Sequence, residues 1–250
     1  MFVDVHSHVV PSGDDGAQNV EEGLELCRAA AARGTGVLFA TPHVWPHLVL
    51  TEERELAVRA AYEEMAASVA LDLRLGFELT PSPRLLDDDL NRYRLDGLDA
   101  VLMEVPFHGS LRLAEALAEH AEGFGLTPVI AHPERSERVV EAPSSLAAWR
   151  ERGWLLQLNS TSLLGYHGPD VEATAWTLVE RGLADLVGSD GHRLARPPFL
   201  DEAYRLVRAR LSGREGVEGV EGVEGVAARL FDGRALGLAA ADRLDLAQRG

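Results

Sequence analysis

Short apolar runs alternate with longer helical patterns along most of this chain, and this alternation constrains the fold more than any other feature. The runs predict strands over residues 2–10, 37–41, 73–79, 99–105, 127–131, 154–159 and 183–188. Helical patterns predict helices over residues 20–32, 52–69, 110–123, 144–153, 170–182 and 199–211. Because most strands are followed by a helix, we expect an α/β fold with a parallel sheet, either open or closed.

The length and the apolar content indicate a single domain. The chain has 250 residues, of which 46% are hydrophobic, so it can bury a sizeable core. Since no linker divides it, we expect one domain over residues 1–250. Residues 215–226 read EGVEGVEGVEGV, which we interpret as an expanded loop or a poor helix, because glycine disfavours helix. No GxGxxG motif follows the first strand, which argues against dinucleotide binding.

The charge balance excludes several classes of partner. Lys and Arg number 24 against 40 for Asp and Glu, a net charge of −16. Such an acidic surface argues against nucleic acid or an anionic membrane as the main partner. The N-terminus lacks a basic segment, and no apolar run reaches the ~18 residues of a membrane span, so neither a signal peptide nor membrane insertion is expected. Cys27 is the only cysteine, which favours a cytoplasmic protein without disulfides.

The first predicted strand, in MFVDVHSHVV, carries two histidines where a buried strand would favour valine or isoleucine. Side chains alternate along a strand, so Asp4, His6 and His8 share one face and the valines share the other. Imidazoles at positions i and i+2 can converge on one metal ion. Taken alone, however, the motif is explained better by two hydrogen-bonded core histidines.

Polar residues at the ends of the other strands favour the metal-binding interpretation. They lie at or just beyond the C-terminal ends of predicted strands, the face on which βα barrels build their active sites. They are Asp15, His43 in ATPH, Glu78 in GFEL, Glu104 in LMEV, His132 in AHPER, and Asp190 and His192 in SDGH. This set lacks cysteine, suits Zn, Mn, Fe or Co, and is too large for one ion. Bridging carboxylates such as Glu78 and Glu104 would let two or three ions generate a hydroxide and bind an oxyanion.

These ordered motifs resemble the PHP (polymerase and histidinol phosphatase) superfamily. Within it, the segments VPSGDDG, AHPERSERV, LNSTSLLG and SDGHRLARPP are most similar to the bacterial metal-dependent protein-tyrosine phosphatases of the CpsB/CapC type. The similarity extends from Met1 to about Leu211. It implies a distorted, TIM-like (β/α)7 barrel with a trinuclear metal site, in an enzyme that regulates capsule and exopolysaccharide synthesis.

The resemblance also implies roles for individual residues. The first ion would be held by His6, His8, Glu78 and Asp190, the second by Glu78, Glu104 and His132, and the third by Asp15, His43 and His192. Mn²⁺ is the expected metal, with Fe, Zn or Co as alternatives. Arg135 and Arg196 match arginines that bind the phosphate, and a planar guanidinium suits that dianion. A loop salt bridge is the alternative for Arg196.

The implied reaction is in-line attack of a metal-bridging hydroxide on a phosphotyrosine protein, for which an autophosphorylated bacterial tyrosine kinase is a candidate. Two alternatives stay open: a small-metabolite phosphatase of the histidinol-phosphatase type, and a non-catalytic module that holds metal. His108 could assist the reaction and His47 could border the site, whereas His120 and His167 are expected to be structural or exposed. The chain departs from the family at Val44, where relatives often have a second histidine, and in its tail.

Overall fold

The computed structural model describes residues 1–212, and the predicted EGV loop lies outside them, so the domain extent of 1–250 stays a prediction. The strands are β1 (Phe2–Ser7), β2 (Thr35–Ala40), β3 (His43–Val44), β4 (Asp72–Leu75), β5 (Glu78–Leu79), β6 (Ala100–Glu104), β7 (Thr127–Ala131), β8 (Leu155–Asn159) and β9 (Leu186–Gly188). The helices are α1 (Val20–Ala32), α2 (Glu52–Ala66), α3 (Arg112–Gly123), α4 (Glu137–Glu141), α5 (Ala147–Glu151), α6 (Ser160–Leu163), α7 (Pro169–Glu180) and α8 (Asp201–Ser212).

The strands form two parallel sheets, in the orders β1-β2-β4 and β3-β5-β6-β7-β8-β9. A single parallel bridge between Ser7 and Gly191 joins the end of β1 to the segment that follows β9. The α/β class and the parallel strands are therefore confirmed. The strand order follows that of a barrel, but the hydrogen-bonded ladder is interrupted and does not close.

The predicted strand over residues 73–79 is divided in two, and a short strand that was not predicted, β3, follows β2. These two breaks separate the sheets. Residues 73–79 split into β4 and β5 at Gly76, whose amide donates to Ala40 O at 2.9 Å. A Cβ on Gly76 would lie 2.6 Å from the Leu95 side chain, so glycine permits this close approach. Between β2 and β3, Pro42 has no backbone N–H and therefore cannot continue the hydrogen-bonded ladder of β2. Beyond these breaks, β3 and β5 pair with His43 beside Glu78.

The first strand ends three residues earlier than predicted, because its backbone groups find partners outside the sheet. The amide of His8 donates to Gly191 O at 2.7 Å, and the carbonyl of His8 accepts from the amide of Ala17 at 2.9 Å. His8 therefore lies just past β1, in the first turn of the loop that follows it.

The helix starts at Asn19 and Thr51 are confirmed by side-chain caps. Asn19 Oδ1 accepts from the amide of Glu22 at 2.9 Å, and Thr51 Oγ1 accepts from the amide of Arg54 at 3.2 Å. The predicted helix over 144–153 instead begins as a 3-10 turn at Pro143–Leu146 and continues as α5. Among residues 1–212, every helix is too short or too polar to cross a membrane.

Alternate residues of the strands pack into two apolar clusters. On β6, Val101 and Met103 join the larger cluster, which also contains residues of the helices, while Leu102 joins a smaller one. The smaller cluster contains Val5, Phe39, Leu95, Ala100, Leu102, Val129, Ala131, Leu155 and Leu186. Both clusters are apolar, whereas the buried polar residues His8, His132 and Asp190 follow the C-terminal ends of β1, β7 and β9.

Candidate metal centre

Three groups of metal-ligating side chains converge at the C-terminal ends of the strands. Within each group the potential ligand atoms lie within 4.8 Å of one another. The groups are His6, His8, Glu78 and Asp190; Glu78, Glu104 and His132; and His8, His43 and His192. Because Glu78 and His8 each belong to two groups, the three form one continuous cluster.

The first group is buried around His6 of β1 and His8, which lies just past that strand. His6 Nε2 and His8 Nε2 are 3.2 Å apart, and Glu78 Oε2 lies 3.1 Å and 3.3 Å from them. Asp190 Oδ1 completes the group at 3.5 Å and 3.4 Å. Burial lowers the pKa values of both imidazoles, but the neighbouring carboxylates outweigh it and raise them. The group therefore attracts positive charge.

Glu78 occupies the centre of the cluster. Its Oε1 atom lies 3.0 Å from His132 Nε2, and its Oε2 atom lies 3.0 Å from His43 Nδ1. Burial opposes ionisation, yet His6 and His43 hold the pKa of Glu78 well below its usual range. Glu78 thus contacts a histidine of each of the three groups.

Glu104, at the end of β6, is the remaining member of the second group. The hydroxyl of Thr80 donates to its Oε1 atom. Burial, followed by the negative charge of Glu78, raises the pKa of Glu104 to about 7. A carboxyl group held this close to a second carboxylate favours a cation between them.

The third group differs from the predicted set of Asp15, His43 and His192. Asp15 Oδ1 does lie 3.2 Å from His192 Nε2 and 3.6 Å from His43 Nε2. However, the compact group contains His8, and the Asp15 side chain is 60% exposed on the loop after β1. The structure therefore places Asp15 at the open edge of this group.

Two of the predicted ligands adopt left-handed backbone conformations. His132 has φ of 34° and Asp190 has φ of 51°, and these are the positive-φ residues other than glycine within residues 1–212. His132 directly follows β7, and Asp190 lies two residues after the end of β9. Such a backbone is costly for most side chains and is typical of functional sites.

Two polar residues of β8, which the sequence analysis did not select as site residues, hold the first group in place. Gln157 Oε1 lies 2.8 Å from His6 Nδ1, so His6 donates there and keeps Nε2 free for a ligand role. Gln157 Nε2 donates to Asn159 Oδ1 at 3.1 Å, and Asn159 Nδ2 donates to Asp190 Oδ2 at 2.7 Å. The signal was present in the sequence, since Gln157 and Asn159 are spaced i and i+2 like His6 and His8.

Asp14 precedes the predicted ligand Asp15 and contacts two residues of the third group. Its Oδ2 atom accepts from the amide of His43 at 2.9 Å and lies 3.6 Å from His8 Nδ1. Burial opposes its ionisation, but the His8 contacts lower the pKa of Asp14. Arg54 then secures the same loops, donating to Ser12 O at 2.9 Å and to His43 O at 2.8 Å.

Asp4 is not a member of the cluster, and its carboxylate binds backbone amides instead. Its Oδ1 atom accepts from the amides of His6 at 3.2 Å and Ser189 at 3.0 Å. Burial raises the pKa of Asp4 to about 6. These contacts tie β1 to the segment after β9, and they act on the backbone of His6 rather than on its ring.

Both predicted phosphate-binding arginines border the cluster and contact Asp190. Arg135 Nη1 donates to Asp190 Oδ2 at 3.3 Å. Arg196 donates through Nε to Asp190 O at 2.9 Å and through Nη2 to Asp190 Oδ1 at 3.2 Å, and it also contacts His192. The ion pair expected as the alternative for Arg196 is therefore present, with a residue of the cluster as its partner.

The remaining histidines take different positions. His47 stacks on Trp45 at 5.3 Å between ring centroids, and Trp45 stacks on His43 at 4.4 Å, so an aromatic stack extends outward from the cluster. His108 is exposed and lies 3.2 Å from Glu137. His120, on α3, contacts Asp88 O. His167 is half-buried, and its pKa is lowered to about 4 by burial and by Arg135.

The donor set fits divalent cations. Four cluster atoms are buried without a hydrogen-bond partner among residues 1–212: His8 Nδ1, His43 Nδ1, Glu78 Oε2 and His132 Nδ1. His6 Nε2 and Glu78 Oε2 lie 3.1 Å apart, and Glu78 Oε1 and His132 Nε2 lie 3.0 Å apart, the spacing expected of neighbouring ligands on one ion with bonds of about 2.0–2.2 Å. Nitrogen and carboxylate donors without thiolate suit Mn, Fe, Zn or Co.

Comparison with known proteins identifies the relatives of this chain. The family model "Capsular polysaccharide synthesis, CpsB/CapC" matches residues 2–220. The chain is 33% identical over 205 residues to the tyrosine-protein phosphatase YwqE of Bacillus subtilis (strain 168), covering 79% of this chain and 80% of that protein. It is 27% identical over 226 residues to the tyrosine-protein phosphatase CpsB of Streptococcus pneumoniae, covering 86% and 93%.

Solved structures extend the comparison. A chain from the crystal structures of YwqE and CpsB, described as metal-dependent tyrosine phosphatases, superimposes with a TM-score of 0.74 at 30% identity and covers 92% of this chain and 95% of that one. A zinc-bound amidohydrolase from Burkhoderia ambifaria has a TM-score of 0.53 at 13% identity, covers 98% of this chain and 90% of that one, and shares the fold alone. This chain belongs to the CpsB/CapC family of capsular polysaccharide synthesis proteins.

Proposed function

We propose that this chain is a metal-dependent phosphomonoester hydrolase that removes phosphate from phosphotyrosine in proteins. The observation that carries the proposal is the joining of three ligand groups through Glu78 and His8, with two arginines at their edge. The similarity to YwqE and CpsB supports the same activity, because both are named tyrosine-protein phosphatases.

We propose three divalent ions, with Mn²⁺ as the metal, within the cluster formed by these groups and Asp15. His6, His8, Glu78 and Asp190 would hold the first, Glu78, Glu104 and His132 the second, and His43 and His192 the third with Asp15. When bound, such ions supply Lewis acidity and a nucleophilic hydroxide at neutral pH. They also bring about six positive charges to a protein of net charge −16, which lets it accept an anionic substrate.

Arg135 and Arg196 would then bind the phosphate oxygens and stabilise the charge that builds on them in the transition state. Both guanidinium groups are held by Asp190 near the cluster, so they need little reorganisation. In the reaction a bond forms between the water oxygen and phosphorus, and the bond from phosphorus to the phenolic oxygen breaks.

A tyrosine phenol has a pKa of about 10, so its leaving oxygen can take a proton from water without a strong acid in the site. Burial and the charge of Arg135 lower the pKa of His167 to about 4, which disfavours the imidazolium form that a general acid would need. His108 is paired with Glu137 at the surface. We therefore propose that no residue among the described residues 1–212 acts as a general acid. We further propose a cytoplasmic substrate such as an autophosphorylated tyrosine kinase.

The proposal is tested by comparing three substrates with the Mn²⁺-loaded protein: a phosphotyrosine peptide, a phosphoserine peptide and histidinol phosphate. Phosphate release is expected to be fastest from the phosphotyrosine peptide and to stop when a chelator removes the metal. Fast release from histidinol phosphate alone would favour the small-metabolite phosphatase instead. Tight metal binding without release from any substrate would indicate a non-catalytic module.

A further inference from the structure

Phe107 is an exposed aromatic residue that lies directly beside the metal centre. It follows Glu104 on the loop after β6, and 39% of its surface is accessible. Its ring centroid is 5.8 Å from that of His132, and the Arg135 guanidinium carbon lies 4.4 Å from the ring centroid. The ring thus contacts both a proposed metal ligand and a proposed phosphate-binding residue.

The loop that carries Phe107 is held by the segment that carries Arg135. The hydroxyl of Ser136 donates to Pro106 O at 2.8 Å, and the amide of Glu137 donates to Phe107 O at 2.9 Å. Ser136 is fully buried. The backbone of Phe107 is therefore fixed relative to Arg135, and little conformational entropy would be lost when a ligand packs on its ring.

The chemistry of the contact indicates what this ring would recognise. A phosphate bound by Arg135 places the group esterified to it close to the ring that lies against the same guanidinium. Aromatic rings pack favourably at centroid separations of about 4.5–7 Å, and such pairs contribute beyond their buried area. A phenyl ester can make this contact, whereas an alkyl ester of serine or threonine cannot.

We propose that Phe107 is a specificity-determining residue whose ring packs against the aryl group of the substrate and favours aromatic over aliphatic phosphomonoesters. This inference rests on the proposed phosphatase function and names the part of the site that selects its substrate class. Phe124 provides a matched control. It is 38% exposed, also contacts a histidine, and lies at the C-terminal end of α3, at the opposite end of the strands.

The test is calorimetric titration of the Mn²⁺-loaded protein with two non-hydrolysable ligands. Benzylphosphonate carries a methylene in place of the bridging oxygen of a phenyl ester, and ethylphosphonate lacks the ring. In Phe107→Leu we expect benzylphosphonate to bind roughly three- to tenfold more weakly, as the loss of one aromatic pair predicts, with less than about a twofold change for ethylphosphonate. Phe107→Tyr should restore the preference, and Phe124→Leu should leave both affinities unchanged.

An equal loss for both ligands in Phe107→Leu would overturn the proposal, because Phe107 would then act only by supporting Arg135. A preference that survives Phe107→Leu, or that is absent from the unmodified protein, would overturn it as well. Hydrolysis of a phosphotyrosine peptide by the same preparations separates the two proposals. Ring preference without hydrolysis refutes the phosphatase function, and hydrolysis without a Phe107-dependent preference refutes only the role of Phe107.

Discussion

The two sides of the metal centre are built differently. On the closed side, His6, His8, Glu78 and Asp190 are buried and come from strands or their immediate ends. On the open side, Asp15 is 60% exposed on a loop, although it lies within 3.6 Å of both His43 and His192. The closed side shares its ligands between groups, whereas Asp15 touches the third group alone.

The two sides are therefore stabilised by different contacts. Buried carboxylates and imidazoles are expensive unless they are paired, and β8 supplies the pairing through Gln157 and Asn159. The open side is instead positioned by Asp14 and Arg54, which join the loop after β1 to the segment around β3. We therefore expect substitutions on the closed side to affect all ions and those on the open side to affect one.

The largest effect is expected from Glu78→Gln. The amide keeps the shape but removes the charge shared by the groups, so at least one equivalent of metal should be lost together with roughly a thousandfold or more of kcat/KM. Metal content and hydrolysis of a phosphotyrosine peptide should be measured together. Full metal content with undiminished activity would show that Glu78 is not the shared ligand.

A smaller effect is expected from Gln157→Leu. Without the acceptor at His6 Nδ1, the ring is no longer held with Nε2 toward the cluster, and Mn²⁺ affinity should fall about 10- to 100-fold. Gln157→Glu is the matched control, because it keeps an acceptor at this position and should retain more of the affinity. Equal losses in the two variants would contradict the orienting role.

The smallest effect is expected from Asp15→Asn. An exposed carboxylate interacts with a cation through a high dielectric, so the affinity for one metal equivalent should fall about tenfold while the others are unchanged. Asp87→Asn, at an exposed aspartate away from the cluster, serves as the control and should bind metal normally. Loss of all metal from Asp15→Asn would show that the two sides are not independent.

Much of this protein was determined by its sequence alone. Strand–helix alternation predicted the parallel α/β fold, because backbone periodicity is a local property. The candidate ligands were predicted from residue type and position, because parallel strands bring the residues at their C-terminal ends to one edge of the sheet. The structure brings all nine predicted ligand residues to that edge, with Asp15 at its margin.

Only the tertiary structure decided how these residues are held and what surrounds them. The break at Gly76 depends on Leu95, and the orientation of His6 depends on Gln157, 151 residues away. The interruption of the hydrogen-bonded ladder between the two sheets likewise depends on where pairing between distant segments stops. The position of Phe107 also depends on tertiary structure, since only packing brings its ring against Arg135. These features rest on distances between residues far apart in the chain, which local periodicity and residue type do not encode.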